Sequence, residues 1–124
     1  EYASYIMEAV VTNQPYKIGG NVRNDGYIEN LPSDACVEVP CYIDGTGVHP
    51  TKVGKLPAHL AAMNASNVGV QLMTIEAAVT KDRKKIYQAA MLDPHTAAEL
   101  NIHDIISMCD ELIEAHGDYM KEYK

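Results

Sequence analysis

The sequence contains no tryptophan and no phenylalanine, so its 124 residues must build a core from aliphatic side chains, six methionines and eight tyrosines. Long apolar runs are missing too: nothing approaches the roughly 20 consecutive apolar residues of a membrane-spanning helix. The opening Glu1-Tyr2-Ala3-Ser4 lacks the basic-then-apolar layout of a secretory signal, and a soluble, cytoplasmic chain with no membrane partner is expected. Positive charge is in short supply. Ten basic against 17 acidic side chains leave a net charge of −7, and the basic cluster Lys81-Asp82-Arg83-Lys84-Lys85 is expected to be a solvated helix face. Nucleic-acid affinity rests on neutralising phosphates with Lys and Arg, so no nucleic-acid partner is expected. Cysteine is scarce: three is an odd number for a disulfide framework, and Cys36 and Cys41, five apart on one strand, fall on opposite faces. They are expected to be buried free thiols. The length allows one domain, residues 1–124, and no cofactor domain beside it.

What is present divides into three textures. Tyr2, Tyr5, Ile6, Ala9 and Val10 recur at helical spacing with no capping residue ahead of them, and Asn13-Gln14-Pro15 stops that helix. From Tyr16 to Val53 short β-branched and tyrosine-containing runs predict strands: Tyr16-Lys17-Ile18, the region of Val22, Tyr27 to Leu31, Ala35 to Val39, and a return from Val48 to Val53. Gly19-Gly20, Asn24-Asp25-Gly26, Pro32-Ser33-Asp34 and Asp44 to Gly47 are expected as breaks and turns, and Pro40 marks an edge or a bulge. After Pro57 the pattern is helical. Ala58 to Met63 is followed by a break at Asn64-Ala65-Ser66-Asn67, with Ser66 or Asn67 capping a helix that turns Val68, Leu72, Ile75, Ala78 and Val79 inward. Asp82 caps the next helix, Asp93-Pro94 opens another, and the last runs from about Ile102 to Glu122 with Ile102, Ile105, Ile106, Cys109, Leu112 and Ile113 on one stripe. The expected class is α+β: an N-terminal helix, a small antiparallel sheet, then a helical cluster.

Few residues carry recognisable chemistry. Gly45-Thr46-Gly47 lacks the third glycine of a nucleotide loop, and no two of the five histidines stand three or four apart on a helix, as a metal pair would. The polar residues Asn24, Asn30 and Glu38 are suited to sugar hydroxyls, since an amide both donates and accepts and a carboxylate accepts. The competing account makes Asn24 and Asp25 turn formers, has Asn30 satisfy its own backbone, and pairs Glu38 with Arg23 or Lys17.

Asn24-Asp25-Gly26-Tyr27-Ile28-Glu29-Asn30-Leu31-Pro32, then Cys36-Val37-Glu38-Val39-Pro40-Cys41, then Pro50-Thr51-Lys52-Val53-Gly54 and Leu56-Pro57 form an ordered series that resembles the C-terminal part of family 4 glycoside hydrolases, nearest the α-galactosidase branch. Thr74 to Ala78, Ala89 to Pro94 and Leu112 to His116 extend it over nearly the whole chain. The resemblance implies the distal part of a lactate-dehydrogenase-like C-terminal domain, in an enzyme that uses NAD and manganese. Such enzymes oxidise the sugar at C3, acidify and remove the C2 proton, expel the aglycone, then add water and return the hydride. It also implies that the dinucleotide loop, the metal ligands and the tyrosine base lie upstream of Glu1. No catalytic, cofactor or metal residue is therefore expected within these 124, and neither NAD nor manganese is expected to bind them alone. Asn24, Asn30 and Glu38 are retained as neighbours of the sugar, an α-galactoside or a related glycoside. The expectation is an inactive segment of a glycosidase that forms homo-oligomers; the alternative is a self-standing oligomerisation or binding module derived from that domain.

Overall fold

A computed structural model of the chain describes residues 2–124. It is α+β and divides into two compact units, one ending at Ala61 and the other running from Ala62 to Lys124.

The first unit begins with α1 (Tyr2–Thr12), which ends where Asn13 enters the left-handed region at φ 56°. Three antiparallel strands follow, β1 (Tyr16–Arg23), β2 (Cys36–Asp44) and β3 (Gly47–Pro50), in the order β1-β2-β3. β1 runs from Tyr16 opposite Ile43 to Arg23 opposite Cys36. Strict alternation puts Val37, Val39, Cys41 and Ile43 on the buried face of β2, where α1 packs on it and contributes Ala9. Cys36, on the other face, is exposed, not the buried thiol the sequence suggests.

Gly19 and Gly20 lie inside β1 and make no turn. Close approach explains their size: a Cβ on Gly20 would stand 2.7 Å from Cys41 Sγ, and one on Gly19 would stand 2.6 Å from Glu38 Oε1. Pro40 sits in the central strand, neither at an edge nor in a bulge. Its carbonyl accepts from Thr51 N (2.9 Å) and Thr51 Oγ1 (2.8 Å), so its missing N–H points to the side where β3 has just ended, and the ladder to β1 is untouched.

The predicted strand at Tyr27 to Leu31 does not form. The twelve residues between β1 and β2 wrap around the Asn24 side chain, which is fully buried. Its Nδ2 donates to the carbonyls of Ile28 (2.9 Å), Leu31 (3.1 Å) and Pro32 (3.0 Å), and its Oδ1 accepts from Ile28 N (2.7 Å). With those groups drawn inward to one amide, only an isolated bridge from Ile28 to Gly54 remains of sheet pairing.

α2 (Ala58–Thr80) is one continuous helix. The expected break at Asn64 to Asn67 is absent because Ser66 Oγ (2.8 Å) and Asn67 Nδ2 (3.2 Å) both donate back to the Met63 carbonyl, bonding within the helix instead of capping a new one. Val68 is buried, but Ile75, Ala78 and Val79 are exposed. In the second unit α3 (Arg83–Leu92) starts at Asp82, whose side chain accepts from Lys84 N. Asp93 both closes α3 and caps α4 (Pro94–Glu99), accepting from Thr96 N at 2.7 Å. α5 (Ile102–His116) is capped by Asn101, whose Oδ1 accepts from His103 N and Asp104 N. It stops six residues short of the expected Glu122, because Gly117 takes φ 52° and opens a 3-10 turn (Gly117–Met120). Ile105 and Cys109 fill the core with Ala89, while Ile102 and Leu112 are exposed. The basic run at 81–85 is tied down: Lys81 pairs with Glu122, Arg83 with Asp110 and Lys85 with Glu76.

Candidate functional site

Cross-strand pairing fixes what the open face of the sheet presents. Lys17, Gly19, Asn21 and Arg23 of β1 stand opposite Tyr42, Pro40, Glu38 and Cys36 of β2, and Tyr42 stands opposite His49 of β3. The Gly19–Pro40 pair lacks polar side chains and forms a flat floor. The Glu38 carboxylate leans diagonally over Gly19 into the space a methyl group would need. A shallow cleft of about 320 Å³ is bounded by Lys17, Gly19, Glu38 and Pro40.

The three residues singled out in the sequence take different places. Asn24 is sealed, and all four hydrogen bonds of its amide described above go to the backbone of its own loop. Asn30 is exposed and forms a reciprocal pair with the main chain of Leu56, Nδ2 donating to Leu56 O and Leu56 N to Oδ1, each at 2.9 Å. It pins the loop to the segment ahead of α2. Glu38 is exposed on β2; among the described residues it pairs with neither Lys17 nor Arg23, the latter joining Asp25 at 3.2 Å. The structure thus brings Glu38 to a cleft and gives the two asparagines work within the backbone.

Sequence reasoning missed the cluster at the β2–β3 hairpin. Asp44 Oδ1 accepts from Thr46 N (2.8 Å) and Thr46 Oγ1 (2.6 Å), and lies 3.2 Å from His49 Nε2. The Thr46 hydroxyl has one proton and gives it to Asp44, so the 2.9 Å contact with His49 Nε2 needs that nitrogen to donate. These bonds, led by the Thr46 hydroxyl, hold the Asp44 carboxyl down to about 2. An Asp-x-Thr turn with a histidine three residues on was the available signal.

Among the described residues no three His, Cys, Asp or Glu side chains converge as a metal site would require. The glycines fit a dinucleotide no better: Gly19 and Gly20 lie within a strand and Gly45 to Gly47 in a hairpin, none at a helix N-terminus where a pyrophosphate would rest. Among the described residues, then, no ready-made cluster of ligands for manganese is formed. Among the described residues no helix is long and apolar enough to cross a membrane.

Comparison with known proteins gives these features a context. An α-galactosidase of Bacillus subtilis is 59% identical over 124 residues, covering 100% of this chain and 29% of that protein. One from Rhizobium meliloti is 36% identical over 99% of this chain and 25% of its own length. Two solved structures superpose closely. A 6-phospho-α-glucosidase from gut microorganisms, in complex with NAD and glucose-6-phosphate, has a TM-score of 0.88 at 27% identity over 99% of this chain and 27% of that one. A 6-phospho-β-glucosidase of Thermotoga maritima, with manganese, NAD+ and glucose-6-phosphate, has a TM-score of 0.77 at 30% identity over 94% of this chain and 29% of that one. The chain thus spans between a quarter and three tenths of the length of these relatives. Residues 1–96 match the family 4 glycosyl hydrolase C-terminal domain, and with the α+β architecture and the end-to-end likeness to the Bacillus subtilis enzyme, the chain belongs to that family.

Proposed function

We propose that the 124 residues form the C-terminal part of the substrate domain of an α-galactosidase-like enzyme, which hydrolyses O-glycosidic bonds by NAD-dependent oxidation, elimination and addition in carbohydrate metabolism. The observation that carries this is the 59% identity to the Bacillus subtilis α-galactosidase along the entire chain, against 36% for the Rhizobium meliloti α-galactosidase and 34% for a maltose-6'-phosphate glucosidase. In the longer protein NAD and manganese supply the redox step and are held by residues outside this chain. What the chain contributes is a rigid sheet whose open face carries Glu38 near the sugar, and a loop shaped by Asn24 and Asn30 beside it.

The chain alone is then inactive. Incubation with p-nitrophenyl α-D-galactopyranoside, NAD, manganese and a reductant should release no nitrophenol, whereas the same segment in its longer protein should release it; turnover by the 124 residues alone would overturn the proposal. A homo-oligomer is the proposed state, because Tyr2, Tyr5, Met7, Val10 and Val11 on α1 are all exposed. Sedimentation as a monomer at high concentration would refute that part.

A further inference from the structure

The open face of the sheet holds two charged groups that the fold does not use. Among the described residues the Glu38 carboxylate and the Lys17 amine have no hydrogen bond or ion pair. They stand on opposite sides of the Gly19–Pro40 floor, since Lys17 faces Tyr42 and Glu38 faces Asn21. Lys17 and Asn21 are four residues apart on β1, about 13 Å along an extended strand. The lean of Glu38 over Gly19 shortens that gap on the side facing Lys17 and leaves a cleft of about 320 Å³.

We infer that this cleft is a subsite for one neutral pyranose ring, with adjacent hydroxyls donating to the Glu38 carboxylate, another accepting from the Lys17 amine, and the apolar C–H side of the ring lying on Pro40. A carboxylate accepts through two oxygens spaced to meet neighbouring hydroxyls, an ammonium only donates, and the pair gives a hydroxyl-rich ring partners of both kinds. The uncharged floor supplies the apolar contact that sugar sites combine with a few fixed polar groups. Gly19 is a positioning residue: a methyl group there would displace the carboxylate without removing it. The choice of galactose as the ring rests on the proposed α-galactosidase reading.

Titration of the 15N-labelled 124-residue chain with methyl α-D-galactopyranoside, followed by amide shifts, tests the site. Saturable shifts confined to the amides around Lys17 to Gly20 and Glu38 to Cys41 are expected, with sorbitol, an open-chain polyol, as the non-binding control. Glu38→Ala and Gly19→Ala should each weaken binding at least tenfold while keeping the dispersed spectrum, and Lys17→Met covers the case in which one of them fails to fold. Shifts that do not saturate, shifts shared with sorbitol, or unchanged affinity in the folded variants would overturn the site. Turnover by the longer protein with no shifts here sinks the subsite alone; saturable shifts without turnover by the longer protein sink the catalytic reading and leave the subsite standing.

Discussion

Replacing Asn24 with alanine tests the central claim about the first unit, that one buried amide shapes the loop between β1 and β2. The substitution removes four hydrogen bonds, but the partners are not equally harmed. Ile28 O still accepts from Leu31 N and Pro32 O still accepts from Ala35 N, so two carbonyls keep a partner. Leu31 O and Ile28 N lose theirs in a region where both residues are buried. Two orphaned buried groups at about 1–3 kcal/mol each predict a loss of about 2–6 kcal/mol, a large share of a typical domain's stability of about 5–15 kcal/mol. Asn24→Asp sharpens the test. An aspartate can still accept from Ile28 N but turns an oxygen toward three carbonyls, and only its protonated form can donate to one of them. Its carboxyl pKa should therefore rise on folding, so the Asp variant should be least stable at neutral pH and regain stability as pH falls from the raised value to the ordinary carboxylate pKa, with no further gain from this group below it. Urea unfolding followed by circular dichroism reads both. A loss below about 1 kcal/mol for Asn24→Ala, or an Asp variant insensitive to pH, would refute the account.

Gly20→Ala should destabilise the sheet by about 1–3 kcal/mol, since its Cβ would lie 2.7 Å from the fully buried Cys41 Sγ, and the double variant with Cys41→Ala should recover part of that in a double-mutant cycle. Asp93→Ala should lower the melting temperature through the lost cap of α4, read by thermal unfolding. The Thr96 backbone N–H holds the Asp93 carboxyl below its ordinary 3.8, so the stabilisation is present above that pH and is lost as pH falls through the lowered value; a cap effect unchanged in acid would count against it. Tyr87 donates to Asp110, and that bond, with burial, raises its phenol above the usual 10.0: Asp110→Ala should bring its ionisation to lower pH, read as a difference in phenolate absorbance between the two proteins on alkaline titration.

Most elements were legible because their signals are local. Asp82 and Asp93-Pro94 announce helix starts through a side-chain oxygen beside free N–H groups, and the alternation of Val37, Val39, Cys41 and Ile43 announces a strand with one buried face. Tyr27 to Leu31 has strand-forming composition, yet it gave way to one amide that satisfies four backbone groups, a tertiary effect no propensity contains. Asn64 to Asn67 failed for the opposite reason. Residues that favour caps also bond back to the preceding turn, and nothing nearby decides between the two. Pro40 misled because the cost of a missing donor depends on which side it faces, and that depends on where β3 stops.

The candidate site was less legible because it is made by register. Glu38 drew attention as a carboxylate on a strand built for burial, but only the pairing of Gly19 with Pro40 places it beside Lys17, twenty-one residues earlier in the chain. A slip of one residue would turn Glu38 into the core and Val37 or Val39 out to solvent. Several features oppose that slip together: Cys41 needs the space left by Gly20, the carboxylate of Glu38 needs the space left by Gly19, and Asn13 Oδ1 holds the hairpin by accepting from Gly45 N at 3.0 Å. The two glycines that looked like a turn therefore serve both faces of one strand. Gly20 closes the core and Gly19 opens the cleft, so exchanging their environments by a single-residue insertion in β1 should abolish core packing and cleft at once, whereas Gly19→Ala should alter the cleft alone.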